Sequence, residues 1–218
     1  MDGNRRFARD RGQSVTAAHR AGYDKVKEVL VWVRDLGVTT VFLYAFSTEN
    51  WGRRPIEVKA LMTLFQRFLE TEIDELYRNE TRLIFIGDLE RLPNKLKKLA
   101  LAAMARTKHG KKFNLIIALS YGGRAEIVAA AKTFARKFAR KLDRAGEAEF
   151  ESCLLTAGLP DPDLVIRTGG AERLSNFLPW QSVYSELSFT PTRWPELTRK
   201  ELEHIIANYH ERQRRFGK

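Results

Sequence analysis

The residues best suited to chemistry lie in the stretch 163–189. A short apolar strand, 164–166, is predicted to end at Arg167, just before Gly169 and Gly170, and open α/β sheets bind ligands at the carboxyl ends of strands. A guanidinium binds phosphate oxygens bidentately, and glycine lets backbone N–H groups approach an anion. Further polar residues follow the glycines: Arg173, Ser175, Asn176 and the lone carboxylate Glu186. This pattern predicts a phosphate or diphosphate site, with a plain turn and solvated arginines as the alternative.

A second group of charged residues opens the chain. Residues 1–12 begin with an Asp-Gly-Asn turn signal and carry Arg5, Arg6, Arg9 and Arg11. Two interpretations are open: an anion-binding loop at the start of a helix, or a frayed basic terminus. His19 precedes the apolar helix face, a position more typical of a surface or capping residue than of a catalyst.

Polar residues also crowd the end of the predicted strand 38–46. They are Ser47, Thr48, Glu49, Asn50, Trp51 and Arg53. Another strand, 113–119, ends in Ser-Tyr-Gly-Gly-Arg. Several strands therefore end in polar or glycine-rich turns, as expected for parallel strands whose carboxyl ends form a site.

The elements that position these residues alternate between strands and helices. The expected fold is α/β, one domain spanning 1–218, with a mostly parallel central sheet covered by helices on both faces. A long amphipathic helix is predicted after Pro55, with an apolar stripe from Val58 to Leu76. This stripe either packs in the core or lines an apolar channel. Near the end, Thr198 and Glu201 indicate a capping box.

Composition limits the function classes. The 218 residues are 44% apolar and 30% charged, as in ordinary globular proteins, and the net charge of +11 attracts polyanions. With only Cys153 the sequence has no intramolecular disulfide and no cysteine-based metal site, so an intracellular protein is expected. No apolar run approaches the roughly 18 residues of a membrane span.

A helical stripe from Ile127 to Leu142 has a basic opposite face. This face carries Lys132, Arg136, Lys137, Arg140, Lys141 and Arg144. A charge run of this kind is usually solvated, but it also suits acidic lipid headgroups or nucleic acid.

Four separated blocks resemble the cis-prenyltransferases, the undecaprenyl and dehydrodolichyl diphosphate synthase family. They read MDGNRRFA with His19 downstream, YAFSTENWGR, SYGGR, and RTGGAERLSNF with the following SEL. The resemblance implies condensation of an allylic diphosphate with isopentenyl diphosphate, repeated to build a Z-polyprenyl diphosphate. It also implies dependence on Mg²⁺, an apolar substrate tunnel, a cytoplasmic location and peripheral contact with an anionic membrane.

The resemblance also assigns roles to residues. Asp2 would hold Mg²⁺ and assist departure of the allylic diphosphate, with Glu186 helping to place the metal or substrate. The allylic diphosphate would be surrounded by Gly3, Asn4, Arg5, Arg6, Phe7, His19 and Arg53. Arg167, Arg173 and Ser175 would bind isopentenyl diphosphate. The reacting centre would be lined by Ser47, Thr48, Glu49, Asn50 and Trp51, with Asn50 as the second catalytic residue.

The sequence departs from the family pattern at several places. Val15, Ala18 and Ala171 stand where the family often has arginine, glycine and an acidic residue. The apolar strand that leads into the Met-Asp-Gly-Asn turn in family members is expected to be missing before Met1. At the other end, 215–217 matches an Arg-x-Gly ending, which implies a homodimer whose sites are completed in trans.

Two other functions are compatible with parts of the sequence. The charge of +11 suits a nucleic-acid-binding protein, but the sequence carries no recognised DNA- or RNA-binding motif. A non-catalytic partner subunit is the other rival, and the presence of Asp2, Asn50, Arg167, Arg173 and Ser175 argues against it.

Overall fold

The structure is a computed structural model, and it describes residues 1–212. Eight α-helices are described: α1 (Asn4–Asp10), α2 (Val15–Asp35), α3 (Pro55–Thr71), α4 (Ile73–Arg78), α5 (Asn94–Thr107), α6 (Gly123–Lys137), α7 (Glu147–Glu151) and α8 (Arg199–Glu211). The described strands are β1 (Thr40–Ser47), β2 (Thr81–Ile86), β3 (Phe113–Tyr121), β4 (Leu164–Arg167) and β5 (Glu186–Phe189). Short 3₁₀ helices follow β1, β2 and α6 and precede α8.

The described residues group into two compact units. The first unit comprises 1–38, 163–173 and 184–212, and the second comprises 39–162 and 174–183. In the first unit, β4 and β5 form a two-stranded parallel sheet in which Leu164 pairs with Glu186.

The second unit contains a three-stranded parallel sheet in the order β1-β3-β2. β3 is central and buried along nearly its whole length because its residues are predominantly apolar. A core cluster forms around Ile86, Ile116 and Leu178, with Phe42 and Phe177 packed against it. The predicted α/β class and parallel sheet are confirmed. The strands are divided between two sheets, however, because β4 and β5 pair with each other rather than with β1–β3.

Two predicted helices are shorter than their apolar stripes suggested. The helix after Pro55 ends at Thr71, and α4 restarts at Ile73. The Thr71 hydroxyl donates to the Arg67 carbonyl oxygen, a bond that often bends helices. The stripe from Ile127 to Leu142 likewise breaks after Lys137, because the backbone at Phe138 leaves the helical region.

The helix ends agree better with the sequence. Thr198 caps α8 by accepting the Glu201 N–H, which is one of the two bonds of the predicted capping box, whereas the Glu201 carboxylate accepts a hydrogen bond from Thr190. Within the described chain, none of the helices has the length and apolar character that crossing a bilayer requires.

Candidate active site

Asp2 is anchored in the first unit by its backbone. The Asp2 N–H donates to the Thr168 hydroxyl oxygen at 2.9 Å. The Thr168 hydroxyl in turn donates to the Asp2 carbonyl oxygen at 3.0 Å. The Trp194 N–H also donates to the Asp2 carbonyl oxygen. Thr168 is buried just after β4, so the end of this strand fixes the opening turn of the chain. The predicted anion-binding loop therefore lies beside the glycine turn that follows β4.

The Asp2 carboxylate is held by two donors. Arg167 Nη2 donates to Oδ2 at 2.9 Å, and the Gly3 N–H donates to Oδ1 at 2.6 Å. Arg6 Nη2 lies 4.0 Å from Oδ1. Partial burial acts to raise the pKa of Asp2, but the hydrogen bonds from Arg167 and Gly3 outweigh it and hold the pKa below its usual value. Asp2 is therefore an ionised carboxylate at neutral pH.

Gly3 allows this turn to form. Its φ of +100° lies in the left-handed region, and a Cβ here would meet the Arg193 Cβ at 2.8 Å. Gly3 therefore admits both the turn and the close approach of Arg193 before α1 begins at Asn4. Residues 4–10 therefore form an ordered helix, and the binding of an anion by the preceding loop stays a prediction.

The arginines of this unit engage backbone as well as carboxylates. Arg6 donates to the Gly169 carbonyl oxygen, and Arg167 donates to the Arg173 carbonyl oxygen. The side chain of Arg6 is about half exposed, whereas that of Arg167 is mostly buried. The cations that contact the turn after β4 are thus Arg6 and Arg167, whereas the residue types predicted Arg167 and Arg173 there.

The other residues of the first unit that are predicted to surround the allylic diphosphate differ from one another in burial and contacts. Phe7 is buried in a small cluster with Ala8 and Ala18, so it packs in the core. Arg5 is exposed. His19 lies inside α2, which starts earlier than predicted, and not ahead of the helix. Asn4 packs tightly against Gly22, where a Cβ would come within 2.4 Å of the Asn4 Oδ1.

Glu186 opens β5, and its carboxylate accepts a hydrogen bond from Arg212 at 2.6 Å. Among residues 1–212, no cluster of three or more His, Cys, Asp or Glu side chains could hold a metal by itself. A Mg²⁺ ion bound through one carboxylate and substrate phosphates needs no such cluster. The ionised Asp2 suits that kind of site, because its oxygens can accept more than the bonds from Arg167 and Gly3.

In the second unit, the predicted residues after β1 form a tight 3₁₀ turn, Thr48–Gly52. Ser47 and Asn50 cap this turn reciprocally: the Ser47 side chain accepts the Asn50 N–H, and the Ser47 N–H donates to Asn50 Oδ1 at 3.2 Å. The Trp51 indole N–H donates to the Ser120 hydroxyl at 3.0 Å. Asn50 and Trp51 are therefore held by bonds to both β1 and β3.

Asn176 forms hydrogen bonds that link its own block, RTGGAERLSNF, to the blocks YAFSTENWGR and SYGGR, a role that the sequence did not assign. Its side-chain oxygen accepts the Arg124 N–H at 2.8 Å, and its carbonyl oxygen accepts the Gly123 N–H at 2.9 Å. Its amide donates to Glu49 Oε1 at 2.9 Å. A Cβ on Gly122 would lie 2.9 Å from the Asn176 amide nitrogen, so glycine is needed for this approach. Asn176 has a φ of +67°, a conformation that Asn adopts more readily than most residues.

Glu49 is ionised by this arrangement. Its limited burial acts to raise the pKa, but hydrogen bonds from its own backbone and from Asn176, Ser47 and Thr48 outweigh it and lower the pKa. Ser175, which directly precedes Asn176, has a φ of +50°. It lies in the second unit, whereas Arg167 and Arg173, its predicted partners at the isopentenyl diphosphate, lie in the first.

Trp51 and Arg53 also line a cavity of about 440 Å³ beside α3. Its apolar wall includes Val58, Met62 and Leu96, and Lys59, Thr63 and Gln66 add polar groups. Arg53 donates to Glu57 Oε1 at 2.9 Å, and Glu57 is 6% exposed. The turn after β1 therefore opens onto a cavity whose lining is of mixed polarity.

A buried polar network behind the turn after β3 was missed by sequence reasoning. Glu126 on α6 accepts the Tyr121 hydroxyl at 2.6 Å, the Leu155 N–H at 2.9 Å and the Gln181 amide at 3.2 Å. Burial, together with the neighbouring Glu126 carboxylate, raises the pKa of Tyr121 well above its ordinary range, so its hydroxyl stays protonated as a donor. One carboxylate thus ties the end of β3 to two later segments.

We expect Glu126→Ala to lower the free energy of unfolding by about 3 kcal/mol, because two buried donors and the partly buried Leu155 N–H lose their acceptor. The melting temperature should fall by about 6 to 12 °C. Thermal unfolding of Glu126→Ala is compared with Tyr121→Phe, which removes one donor, and with Glu147→Ala on an exposed helix position. A loss no larger than that of Glu147→Ala would contradict a structural role for the network.

Comparisons with known proteins identify the family of this chain. Residues 1–217 match the prenyltransferase family model for undecaprenyl diphosphate synthase. An isoprenyl transferase of Clostridium perfringens is 46% identical over 220 residues, which cover 100% of this chain and 87% of the relative. The ditrans,polycis-undecaprenyl-diphosphate synthase of Micrococcus luteus, described as (2E,6E)-farnesyl-diphosphate specific, is 43% identical over 100% of this chain and 88% of its own length.

Solved structures give the same result. Lavandulyl diphosphate synthase from Lavandula x intermedia, in complex with dimethylallyl diphosphate, superposes with a TM-score of 0.95 at 34% identity, covering 100% of this chain and 95% of that one. A probable undecaprenyl diphosphate synthase from Campylobacter jejuni reaches a TM-score of 0.80 at 36% identity, covering 91% and 93%. The chain therefore belongs to the undecaprenyl diphosphate synthase family of cis-prenyltransferases, transferases that condense isopentenyl diphosphate with an allylic diphosphate to make a Z-polyprenyl diphosphate.

Proposed function

We propose that this chain is an active Z-polyprenyl diphosphate synthase, with Asp2 and Asn50 as its catalytic residues. The observation that carries the proposal is the ionised Asp2 carboxylate, bonded to Arg167 at the glycine turn after β4. The presence of Asp2, Asn50 and Arg167, to which the family resemblance assigns catalytic and substrate-binding roles, argues against a non-catalytic partner subunit. Incubation with isopentenyl diphosphate, an allylic diphosphate and Mg²⁺, followed by measurement of released diphosphate, tests the proposal.

Residues of the first unit would handle diphosphates. The leaving diphosphate develops negative charge, which fixed cations and backbone N–H groups stabilise. Gly3, Asn4, Arg5, Arg6 and His19 are proposed for the allylic diphosphate, and Arg167 and Arg173 for isopentenyl diphosphate. Phe7 would support this loop through its packing with Ala8 and Ala18 rather than by touching substrate.

Residues of the second unit would surround the reacting carbon atoms. One turn, held by the bonds described above, carries Ser47, Thr48, Glu49, Asn50 and Trp51. Ser175 directly precedes Asn176, whose amide donates to the Glu49 carboxylate. The apolar face of Trp51 suits a carbocation-like allyl group, which needs a dry site. Arg53 would assist with the allylic diphosphate, and its ion pair with Glu57 orients it.

Mg²⁺ is proposed as the cofactor, held by Asp2 together with substrate phosphate oxygens, and Glu186 would help to place it. When bound, the ion would neutralise negative charge on the leaving diphosphate. Asp2 is ionised by Arg167 and Gly3 and so needs no proton loss before it binds a cation. Glu186 would have to exchange Arg212 for such a role.

The allylic primer is proposed from the relatives. The Micrococcus luteus enzyme is named as farnesyl-diphosphate specific, and the lavender structure holds dimethylallyl diphosphate. We propose farnesyl diphosphate, because the sequence identity to the bacterial synthase is higher. A second candidate function, formation of a short product from dimethylallyl diphosphate, is favoured by the TM-score of 0.95 with the lavender enzyme. The length of the product distinguishes these two candidate functions.

The cavity beside α3 is proposed as the start of the tunnel for the growing chain. We expect Val58→Trp and Met62→Trp to shorten the polyprenyl product, because the indole fills space that the chain would enter. Ile56→Trp is the control, since Ile56 lies on the same helix and is 76% exposed. Product lengths are compared by chromatography after dephosphorylation.

The tunnel proposal fails if Val58→Trp and Met62→Trp both fold, as judged by circular dichroism, and give products of wild-type length. It also fails if Ile56→Trp shortens the product equally. Should Met62→Trp unfold because Met62 is buried, Val58→Trp alone decides.

A homodimer with sites completed in trans is proposed from the Arg-x-Gly ending at 215–217, which lies outside the described residues. We expect a mixed dimer of Asp2→Ala and Arg215→Ala chains, isolated with two tags, to recover activity. One of its sites would combine an intact Asp2 with an intact Arg215 from the other chain. If the mixed dimer is as inactive as the two mutant homodimers, Arg215 acts in the site of its own chain and not in that of the partner.

The location is proposed as the cytoplasm, with peripheral contact to an anionic membrane. A single cysteine suits a reducing compartment, and the net charge of +11 suits an anionic surface. Fractionation of cells that express the tagged full chain, before and after a high-salt wash, tests both statements.

A further inference from the structure

A basic segment spans the end of α6 and the 3₁₀ turn that follows it in the second unit, and its exposed cations are called the basic face. Its six cations are all exposed: Lys132, Arg136, Lys137, Arg140, Lys141 and Arg144. Asp143 is the one acidic residue within 132–144. This segment therefore concentrates positive charge within a short length of chain.

Among residues 1–212, the six cations share the lack of an ion-pair partner with other exposed cations of the unit, such as Arg67 and Lys98, and differ from them by lying together in one short segment. Lys95, Arg106 and Lys112 form ion pairs with Glu70, Asp74 and Glu80 at 3.2, 2.6 and 3.3 Å. Across residues 1–212, none of the six cations of the basic face has a carboxylate within ion-pair distance. Clustered like charges repel one another and favour an external anion.

The basic face also exposes apolar surface. Leu142 lies among the cations and is 51% exposed. In the same segment, the half-buried rings of Phe134 and Phe138 lie 5.3 Å apart, and the Lys137 ammonium lies 5.2 Å from the Phe138 ring. Cations around an exposed aliphatic side chain and aromatic rings are typical of surfaces that rest in the headgroup region of a bilayer.

We propose that the basic face is the surface by which this enzyme docks on an anionic lipid bilayer. A second copy of the chain would bring the same positive charge and be repelled, and nucleic acid would leave Leu142 without an apolar partner. The proposal names the site of the membrane contact proposed above, and it rests on the proposed function because a polyprenyl diphosphate is a lipid that must reach a bilayer. Docking would shorten its path through water.

The test is flotation of the full-length protein with vesicles of phosphatidylglycerol and phosphatidylcholine. The patch variant carries Arg136→Gln, Arg140→Gln and Arg144→Gln. The control variant carries Lys95→Gln, Arg106→Gln and Lys112→Gln, which removes the same charge from ion-paired positions. Each cation near an anionic surface contributes about fivefold to binding, so the patch variant should bind about 100-fold more weakly. The control should change less than about fivefold.

Further readouts separate the alternatives. Leu142→Ser should weaken vesicle binding without changing net charge, and wild type should not float with pure phosphatidylcholine. Equal losses in the patch and control variants would overturn the proposal, because net charge would then explain binding. So would a patch variant that keeps vesicle binding but loses binding to duplex RNA. Turnover of isopentenyl diphosphate in detergent should be unchanged in the patch variant, so failure to dock is distinguished from failure of the proposed reaction.

Discussion

Replacing Asp2 with alanine is expected to lower kcat on the order of 10³-fold, a loss typical of removing a group that stabilises transition-state charge. The change removes the carboxylate that Arg167 and the Gly3 N–H hold in place, but it removes no core volume. The fold should survive, because the Asp2 backbone keeps its bonds to Thr168 and Trp194. Turnover is measured at saturating Mg²⁺ and both substrates.

Asp35→Ala is the matched control for this prediction. Asp35 lies in the same unit, is similarly exposed, and pairs with Arg199 at 2.9 Å, the same distance as Asp2 to Arg167. Its loss should leave turnover nearly unchanged. Near-wild-type turnover of Asp2→Ala would remove Asp2 from the mechanism.

The free energy of unfolding at acidic pH gives a second measurement of how Asp2 is held in the fold. Because folding lowers the pKa of Asp2, its ionised form stabilises the fold above the unfolded pKa of about 3.9. This contribution is lost as the pH falls through the lower folded pKa. Asp2→Asn should therefore show a smaller decline in the free energy of unfolding than wild type in this acidic range. Identical declines would mean that Asp2 is not held by its donors.

Arg167→Lys is expected to raise the KM for isopentenyl diphosphate about 100-fold, the loss of a bidentate charge-assisted pair. The KM for the allylic primer should change much less. Because Arg167 also donates to Asp2, kcat should fall as well, whereas Arg173→Lys should act mainly on KM. Initial rates with each substrate varied in turn measure these effects.

Arg11→Lys serves as the control for both arginines, because Arg11 forms an exposed ion pair with Glu196 in the same unit. Its kinetics should match those of wild type. Equal increases in both KM values for Arg167→Lys would mean that the two diphosphate sites have been assigned wrongly.

Much of the site could be predicted because its residues stand at strand ends and turns. Arg167 ends β4 and Asn50 follows β1, as the apolar runs before them indicated. The bond between Asp2 and Arg167 joins residues far apart in sequence, so only the family resemblance connected them beforehand. The local sequence pattern predicts which residues lie at strand ends and turns. A bond between residues far apart in sequence depends on tertiary packing, which the local pattern does not predict.

Other features left weaker signals in the sequence. Glu126 lies beside Ile127 in an amphipathic helix, where a glutamate is usually exposed, yet Tyr121 and Gln181 bury it. The predicted helix from Val58 to Leu76 is divided at Glu72 into α3 and α4, although Glu72 keeps a helical backbone conformation and its N–H donates to the Phe68 carbonyl oxygen. For Glu126, tertiary contacts overrode the periodicity.

The most direct test of the account is the stereochemistry and length of the product. The full chain is incubated with isopentenyl diphosphate, farnesyl diphosphate and Mg²⁺, and the dephosphorylated product is sized and its double bonds are assigned by NMR. The account predicts a chain extended by several isoprene units with every new double bond in the Z configuration. It also predicts that this product is absent with Asp2→Ala and present with Asp35→Ala. New double bonds in the E configuration, or no condensation by a folded wild-type protein, would contradict it.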